Sequence, residues 1–329
     1  MEEGFTLITG ANGEIGQALL RVLDSDRVLA VDINPLDPGL AGYFLEFVEG
    51  DILDRELLEK LGREYEITRI FHLAAVLSTK AERDPVLAHR VNVEGTANLL
   101  DFALAQTEKQ SARVQFLFPS SFAVYGLADL EAKKAQGPVA ENEKLMPTSI
   151  YGAGKLYCER LGIHFTRQGS GLLDFRALRF PGLISADSVP TGGTTDYGPE
   201  MLHWAAEGRP YSCFVRPDTM LPFLVMPDAV RALQELAGAP SPAERVYNVT
   251  GFSPSAQELH QTVLEFFPSA EVSFEPDQNR QTLVDSWPGQ IDDSAARRDW
   301  DWAPEYDLQH AFADYLIPAM TERYSRESG

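Results

Sequence analysis

The stretch "FTLITGANGEIGQALL" (residues 5–20) decides the fold. "FTLITG" (5–10) is a short apolar, β-rich run, and "EIGQALLRVLDS" (14–25) has helical spacing. "TGANGEIG" (9–16) joins them, with glycines at 10, 13 and 16. A bare glycine triplet is a weak signal; the strand–turn–helix context gives it meaning. Glycine permits the tight turn and lets the backbone approach a pyrophosphate at the start of the helix. The expectation is a dinucleotide site built on Gly10, Asn12, Gly13, Glu14, Ile15 and Gly16.

The next strand, "RVLAVDI" (27–33), carries Asp32 near its end, about 20 residues after the glycine turn. A carboxylate there accepts hydrogen bonds from the adenosine ribose hydroxyls and repels a 2′-phosphate. No arginine follows it directly, so NAD is expected in preference to NADP. The competing reading is a turn-capping Asp in "VDINP". "GDILD" (50–54) follows the third strand, which makes Asp51 and Ile52 candidates to flank the adenine.

Further along, "DRELLEKLGREY" (54–65) reads as a helix capped by Asp54. "RIFHLAA" (69–75) is a strand. "DPVLAHRVNVEGTANLLDFALAQ" (84–106) is a long helix, with Asp84 as cap and Pro85 in the first helical position. "VQFLFPSS" (114–121) is a strand, "YGAGKLYCERLGIHFTRQ" (151–168) a helix and "LDFRALRF" (173–180) a strand. Wholly apolar strands alternating with helices imply an α/β fold, a doubly wound parallel sheet covered on both faces. After Phe180 the pattern loosens and Pro and Gly become more frequent. The expected division is a Rossmann domain of residues 1–180 plus about 222–250, with a smaller substrate-binding lobe of about 181–221 and 251–329. Ligands of open α/β sheets bind at the carboxyl edge of the strands.

Composition narrows the partners. The chain has 329 residues and a formal net charge of −21, which repels phosphate backbones and anionic lipid. Nucleic-acid and membrane partners are therefore not expected, and no apolar run approaches the roughly 18 residues needed to span a bilayer. The N-terminus is acidic and then strand-like, unlike a signal peptide. Two cysteines, Cys158 and Cys213, fit a reducing cytoplasm. No His/Cys/Asp cluster has metal-ligand spacing, so no metal is expected. The expected partner is a small molecule, and the oligomeric state is left open between monomer and homodimer.

"YGAGK" places Tyr151 and Lys155 four residues apart on one helical face. A tyrosine titrates near 10 in water, and lowering that to about 7 takes about 4 kcal/mol of preferential phenolate stabilisation. The Lys155 ammonium and a positive nicotinamide ring are suitable sources. Together with "TGANGEIG", "HLAA" (72–75), "NVEGT" (92–96) and "PSSFAVYG" (119–126), the pair resembles the extended short-chain dehydrogenase/reductases over essentially the whole chain. The resemblance implies Tyr151 as general base, Lys155 on the nicotinamide ribose, and Ser121, with Ser120 beside it, at the substrate oxygen. It also implies cofactor contacts from Leu73, Ala74, Ala75, Pro119 and Pro181, and from Asn92 through an ordered water. For Asn92 a structural role is an equal alternative. His72, inside an apolar strand, is expected to be a satisfied core residue. One departure is "LADLEAKKAQGP" (127–138), which reads as a lengthened surface loop at the rim of the site.

Within that family, UDP-galactose 4-epimerase and its relatives carry an arginine that binds substrate phosphate. The matching segment is "LPFLVMPD" (221–228), with Leu221 at the arginine position and Val225 at a histidine position. Losing that cation removes a strong charge-assisted contact. Instead "RFPGLIS" (179–185), "TGGTTDYG" (191–198), "YNVTGFSPSAQEL" (247–259) and "DSWPGQIDDSAARRDWDW" (285–302) resemble the short-chain-type L-threonine 3-dehydrogenases. That implies NAD-dependent oxidation of the 3-hydroxyl of L-threonine to 2-amino-3-oxobutanoate. Substrate contacts are expected from Ser78, Ser120, Ser121, Tyr151, Gly182, Thr194, Thr195 and Trp287. Trp287 reads equally as a lid or as an aromatic packed beneath a loop. Asp196 is expected to cap the helix "YGPEMLHWAAEG". The alternatives are a sugar-nucleotide epimerase or dehydratase, and a non-catalytic NAD-binding protein.

Overall fold

The computed structural model describes residues 4–169, 171–190 and 192–327, the last three by backbone alone. The main sheet contains β1 (Phe5–Thr9), β2 (Val28–Asp32), β3 (Glu46–Glu49), β4 (Ile67–His72), β5 (Val114–Ser121), β6 (Leu173–Phe180) and a short strand, Val246–Asn248. Their spatial order is β3-β2-β1-β4-β5-β6 followed by the Val246–Asn248 strand. The β1–β2, β1–β4, β2–β3 and β4–β5 pairings are parallel. Ile8 of β1 stands opposite Ala30 on one side and Phe71 on the other. The strand order reverses between β1 and β4, and the crevice at that reversal is where such sheets bind nucleotides. This is the Rossmann arrangement.

The central strands are rich in apolar residues because helices cover both faces of the sheet. Leu7, Leu29, Val31, Ile70, Phe116 and Phe175 are buried in one cluster with Leu99, Leu100 and Cys158 from the helices. Asp54 caps the Arg55–Glu64 helix by accepting from the amides of Glu56 and Leu57. The helix expected over 14–25 ends at Leu20, and Asp24 instead starts a single tight turn at Ser25–Arg27. The long helix after Asp84 is not uniform. It runs as an α-helical turn at Pro85–Ala88, a π-helical segment at His89–Glu94 and an α-helix at Gly95–Gln110. π segments are rare and frequently mark functional sites.

A charged knot ties β6 to its surroundings. Asp174 bonds the guanidinium of Arg113 and accepts from Arg176 at 2.7 Å and Arg245 at 2.6 Å. Arg176 also donates to the carbonyls of Leu236 and Ala239. Burial pushes the Asp174 carboxyl up, but Arg176, Arg113 and Arg245 outweigh it and hold the group below its ordinary value. A depressed folded-state value means that the contribution to stability is present above the unfolded carboxylate range, near 4, and is lost as pH falls through the lower folded value. Asp174→Asn leaves Arg176, itself only 1% exposed, as an uncompensated buried charge. Thermal unfolding at pH 7 should report a loss of about 3–5 kcal/mol, and the gap between variant and native protein should narrow toward pH 3.

The chain divides into two compact units. The first comprises residues up to 121, 150–179 and 230–247; the second comprises 122–149, 180–229 and 248 onward. Residues 122–149 therefore group with the second unit, against the boundary expected from sequence, as do 222–229. In the second unit Gly182–Ile184 pairs with Phe223–Val225, and Tyr211–Cys213 with Val272–Phe274, both in parallel. The Ala256–Phe266 helix opens with a reciprocal capping box between Ser255 and Glu258. The 127–138 segment is more than a surface loop. It folds a short helix, Leu130–Ala135, and buries Lys133, whose Nζ donates to the Val284 carbonyl at 2.8 Å. Burial pushes this lysine down to about 8, against a smaller opposing effect of Asp285.

Candidate active site

In the first unit the glycine turn runs directly off β1. Gly10 has φ 71°, the left-handed region, and a Cβ there would lie 2.5 Å from the Ala74 amide nitrogen. At Gly16 a Cβ would lie 2.4 Å from the Gly10 carbonyl oxygen. Both positions therefore require glycine, one for conformation and one for close packing. Leu73 continues the β4 edge by donating its amide to Thr9, which sets Ala74 and Ala75 beside the turn. Gly13 and Glu14 are exposed where the Glu14–Leu20 helix begins, and Gly13 offers no side chain at the cap. Ile15 is half-buried next to them.

Asp32 closes the turn from β2. Its carboxylate accepts from the Asn12 amide and from the Asn34 amide, each at 2.9 Å. The Asn34 side-chain nitrogen adds a longer contact at 3.4 Å, and the remaining lone pairs suit ribose hydroxyls. Asp51 accepts from the Leu53 amide and shapes the following turn, while Ile52 is packed against Gly95. A glycine cradle, an acceptor carboxylate at the end of β2 and an apolar side chain at 52 form the donor and acceptor set that a dinucleotide requires, so these residues fit NAD.

The π-helical segment delivers Asn92 inward. Its carboxamide oxygen accepts from the Val76 amide at 2.7 Å, and its nitrogen donates to the Val76 carbonyl at 2.9 Å. This is the structural alternative raised for Asn92, because both ends of its amide are bonded to backbone. His72 bridges the hydroxyls of Thr9 and Thr96 at 2.8 and 2.9 Å, and burial keeps it neutral, down to about 3.

Lys155 and Tyr151 lie on the Ile150–Phe165 helix. The Lys155 Nζ donates to the Pro119 carbonyl at 2.6 Å and lies 4.6 Å from the Phe118 ring centre and 5.6 Å from that of Tyr151. Burial pushes Lys155 down to about 8, and the Cys158 and Glu159 groups partly oppose this. Burial pushes the Tyr151 phenol up. A positive charge on Lys155, 5.6 Å from the ring centre, favours the phenolate against that desolvation. Glu82 caps this helix by accepting from the amides of Ile150 and Tyr151, and it belongs to the short Ser78–Arg83 helix that starts at Ser78. Ser121 is half-buried at the end of β5. Its neighbour Ser120 is buried and donates to the Glu159 carboxylate, so the expected substrate role of the Ser120 hydroxyl gives way to a structural one. The Tyr151, Lys155 and Glu159 repeat at intervals of four was the available signal for Glu159.

In the second unit, the Gly182 amide donates to the Pro222 carbonyl at 3.1 Å, and a Cβ at 182 would approach the Phe223 ring and Thr195. Pro181 is buried, Thr194 is buried and Thr195 half-buried; Thr191 lies outside the described residues. Asp196 does not cap the Tyr197–Ala206 helix through its side chain. Its carboxylate instead turns back to the Gly193 amide at 2.6 Å. The Gly193 carbonyl accepts from Arg280, whose guanidinium lies on the Phe214 ring. Gly193 is thus held from both sides, and Arg280, far away in sequence, gave no local signal. Trp287 is 1% exposed and meets Phe122 edge-on, which is the packed alternative rather than an open lid.

Glycine cradle, Asp32 and the tyrosine–lysine helix together define an NAD-dependent oxidoreductase of the short-chain type. The chain belongs to the NAD dependent epimerase/dehydratase family, whose model matches residues 6–250. It is 37% identical to the mitochondrial L-threonine 3-dehydrogenase of Bos taurus, over 98% of this chain and 83% of that protein. Among solved structures, the holo form of an L-threonine dehydrogenase from Cupriavidus necator matches with a TM-score of 0.84 at 31% identity, covering 97% of this chain and 99% of that one. A monomeric L-threonine 3-dehydrogenase from a metagenome matches with a TM-score of 0.85 at 34% identity, over 99% and 100% of the two chains. Among the described residues, no helix is long and apolar enough to cross a membrane.

Proposed function

We propose that this protein oxidises the 3-hydroxyl of L-threonine to 2-amino-3-oxobutanoate with NAD. The observation that carries the chemistry is the Lys155 ammonium, fixed by the Pro119 carbonyl within 5.6 Å of the Tyr151 ring centre. The substrate assignment rests on relatives named as L-threonine dehydrogenases that span both units, and on Leu221, which is apolar and fully buried where a nucleotide-sugar enzyme needs a cation.

NAD, held by the 10–16 turn and Asp32, supplies the hydride acceptor. The protein's own part is acid–base work. Ser121 donates to the reacting oxygen and holds it in line. Tyr151, as phenolate, takes the hydroxyl proton, and Lys155 lowers the cost of that charge. Amino-acid recognition is assigned to Ser78, Gly182, Thr194 and Thr195, and Trp287, buried edge-on against Phe122, is a packing residue. Net charge and composition support a small-molecule partner rather than nucleic acid or membrane. The two buried free thiols suit a cytoplasmic site. The oligomeric state, monomer or homodimer, is read by sedimentation.

Purified protein with NAD and L-threonine should generate NADH, followed by its absorbance. With NADP the kcat/KM should fall at least ~10-fold, because about 1.4 kcal/mol of like-charge repulsion at Asp32 is a factor of ten. Turnover of a nucleotide sugar without net NADH, and none of L-threonine, would replace this reading with the epimerase alternative.

A further inference from the structure

Tyr151, Lys155 and Glu159 recur every four residues on the Ile150–Phe165 helix and so share one face. Glu159 is 1% exposed, and Arg179 on β6 is 2% exposed. They form a two-pronged pair, Nε to Oε1 at 2.8 Å and a terminal nitrogen to Oε2 at 2.6 Å. Ser120 adds a third contact, its hydroxyl donating to Oε1 at 2.5 Å. Ser120 sits between Pro119, whose carbonyl holds Lys155, and Ser121.

Stability alone is a poor reason for such a network. A buried ion pair exchanged for well-packed apolar groups often leaves stability unchanged or raises it. Its location suggests another use. Besides this network and the Lys155–Pro119 bond, the helix meets the sheet through apolar packing around Cys158 and Phe175, which is non-directional and tolerates small slides. The reaction does not tolerate them, since a misplacement of about 1 Å can cost about 100-fold in rate.

We propose that Ser120, Glu159 and Arg179 are positioning residues that clamp the Pro119–Ser121 end of β5 to the helix carrying Tyr151 and Lys155, and so set the spacing of Ser121, Tyr151 and Lys155. This rests on the roles assigned to those three residues above. The clamp has an electrostatic consequence. The charged and titratable groups facing Lys155 are Tyr151, Cys158 and Glu159 on its own helix and neutral His72 on β4, with Arg179 on β6 facing Glu159. Glu159 favours the ammonium form of Lys155. Removing that carboxylate makes Lys155 lose its proton at lower pH.

The test uses the full chain with NAD and L-threonine. Ser120→Ala deletes one hydroxyl and leaves the Glu159–Arg179 pair in place. It should lower kcat at least ~10-fold, with KM and the Kd for NAD within twofold of the native protein and thermal stability little changed. The double variant Glu159→Gln/Arg179→Met removes both charges together. It should lower kcat as much or more and move the alkaline limb of the kcat–pH profile downward, a shift that a merely structural pair would not produce. A Ser120→Ala kcat within twofold of native would overturn the clamp, and it decides alone should the double variant not fold. An unmoved alkaline limb would remove Glu159 from the control of Lys155. Tyr151→Phe separates this idea from its foundation. An active Tyr151→Phe overturns the catalytic assignment itself, whereas an inactive one beside a fully active Ser120→Ala overturns only the positioning role.

Discussion

Tyr151→Phe is expected to lower kcat for L-threonine oxidation by about 10³-fold while NAD still binds. The substitution removes one oxygen and keeps the ring, so the helix face and its contact with Lys155 are preserved. What disappears is the group that accepts the hydroxyl proton, and positioned proton transfer is generally worth about 10²–10⁴-fold. Burial raises the Tyr151 phenol, so the phenolate depends on nearby positive charge. Lys155 supplies it only while protonated, and burial brings that group down to about 8. Activity should therefore rise with pH as Tyr151 ionises in the loaded enzyme and fall again as Lys155 loses its proton. Initial-rate NADH assays across pH, with fluorescence titration of NAD, check both parts. Native-like kcat in Tyr151→Phe would remove Tyr151 as the base.

Gly10→Ala should abolish useful NAD binding and lower thermal stability together. An L-residue at φ 71° costs about 1–2 kcal/mol in conformation alone. The added methyl would also lie 2.5–2.7 Å from backbone atoms of Leu73 and Ala74, which cannot swing aside as a side chain would. Those residues are fixed by the bond from Leu73 to Thr9 and by the Asn92 grip on Val76. The turn must therefore move, and with it the amides and the Asn12 backbone that Asp32 holds. Calorimetry should show at least a ~10-fold weaker Kd for NAD, each 1.4 kcal/mol being a factor of ten, together with a lower Tm. Native NAD affinity in this variant would mean that the turn is not the cofactor cradle.

The two effects come from features of different legibility. The glycine turn could be read directly, because its neighbours in sequence are also its neighbours in space: strand, turn and helix follow one another. The strands β5 and β6 were likewise readable to the residue as apolar-rich runs between helical stretches, although β6 also buries Asp174, Arg176 and Arg179. The Tyr151–Lys155 pair was visible through its helical spacing. The helix after Asp84 was legible in extent, but its π-helical middle was not, because a widened turn is selected by what Asn92 must reach at Val76.

Partners remote in sequence were illegible. Ser120 reads from sequence as a substrate hydroxyl, but it donates to Glu159, 39 residues away. Asp196 looked like a helix cap, yet its carboxylate competes successfully for the Gly193 amide in its own loop. The 127–138 segment looked like a solvated rim, while Lys133 inserts to reach Val284, 151 residues on. Arg280 carries no local pattern at all and holds a loop 87 residues away.

By itself, then, the sequence determined the doubly wound sheet, the NAD turn, the tyrosine–lysine helix and the kinship to threonine dehydrogenases. The first three depend on periodicity and on short spacings that chain geometry alone converts into shape, and the kinship rests on the resemblance of the second-half motifs to that family. Only the tertiary structure decided which hydroxyls and amides remain available and which are already bonded: Ser120, Asn92, Gly193 and Lys133 all belong to the second group. A buried polar group must find a partner wherever the fold brings one, and that partner is set by packing between distant segments.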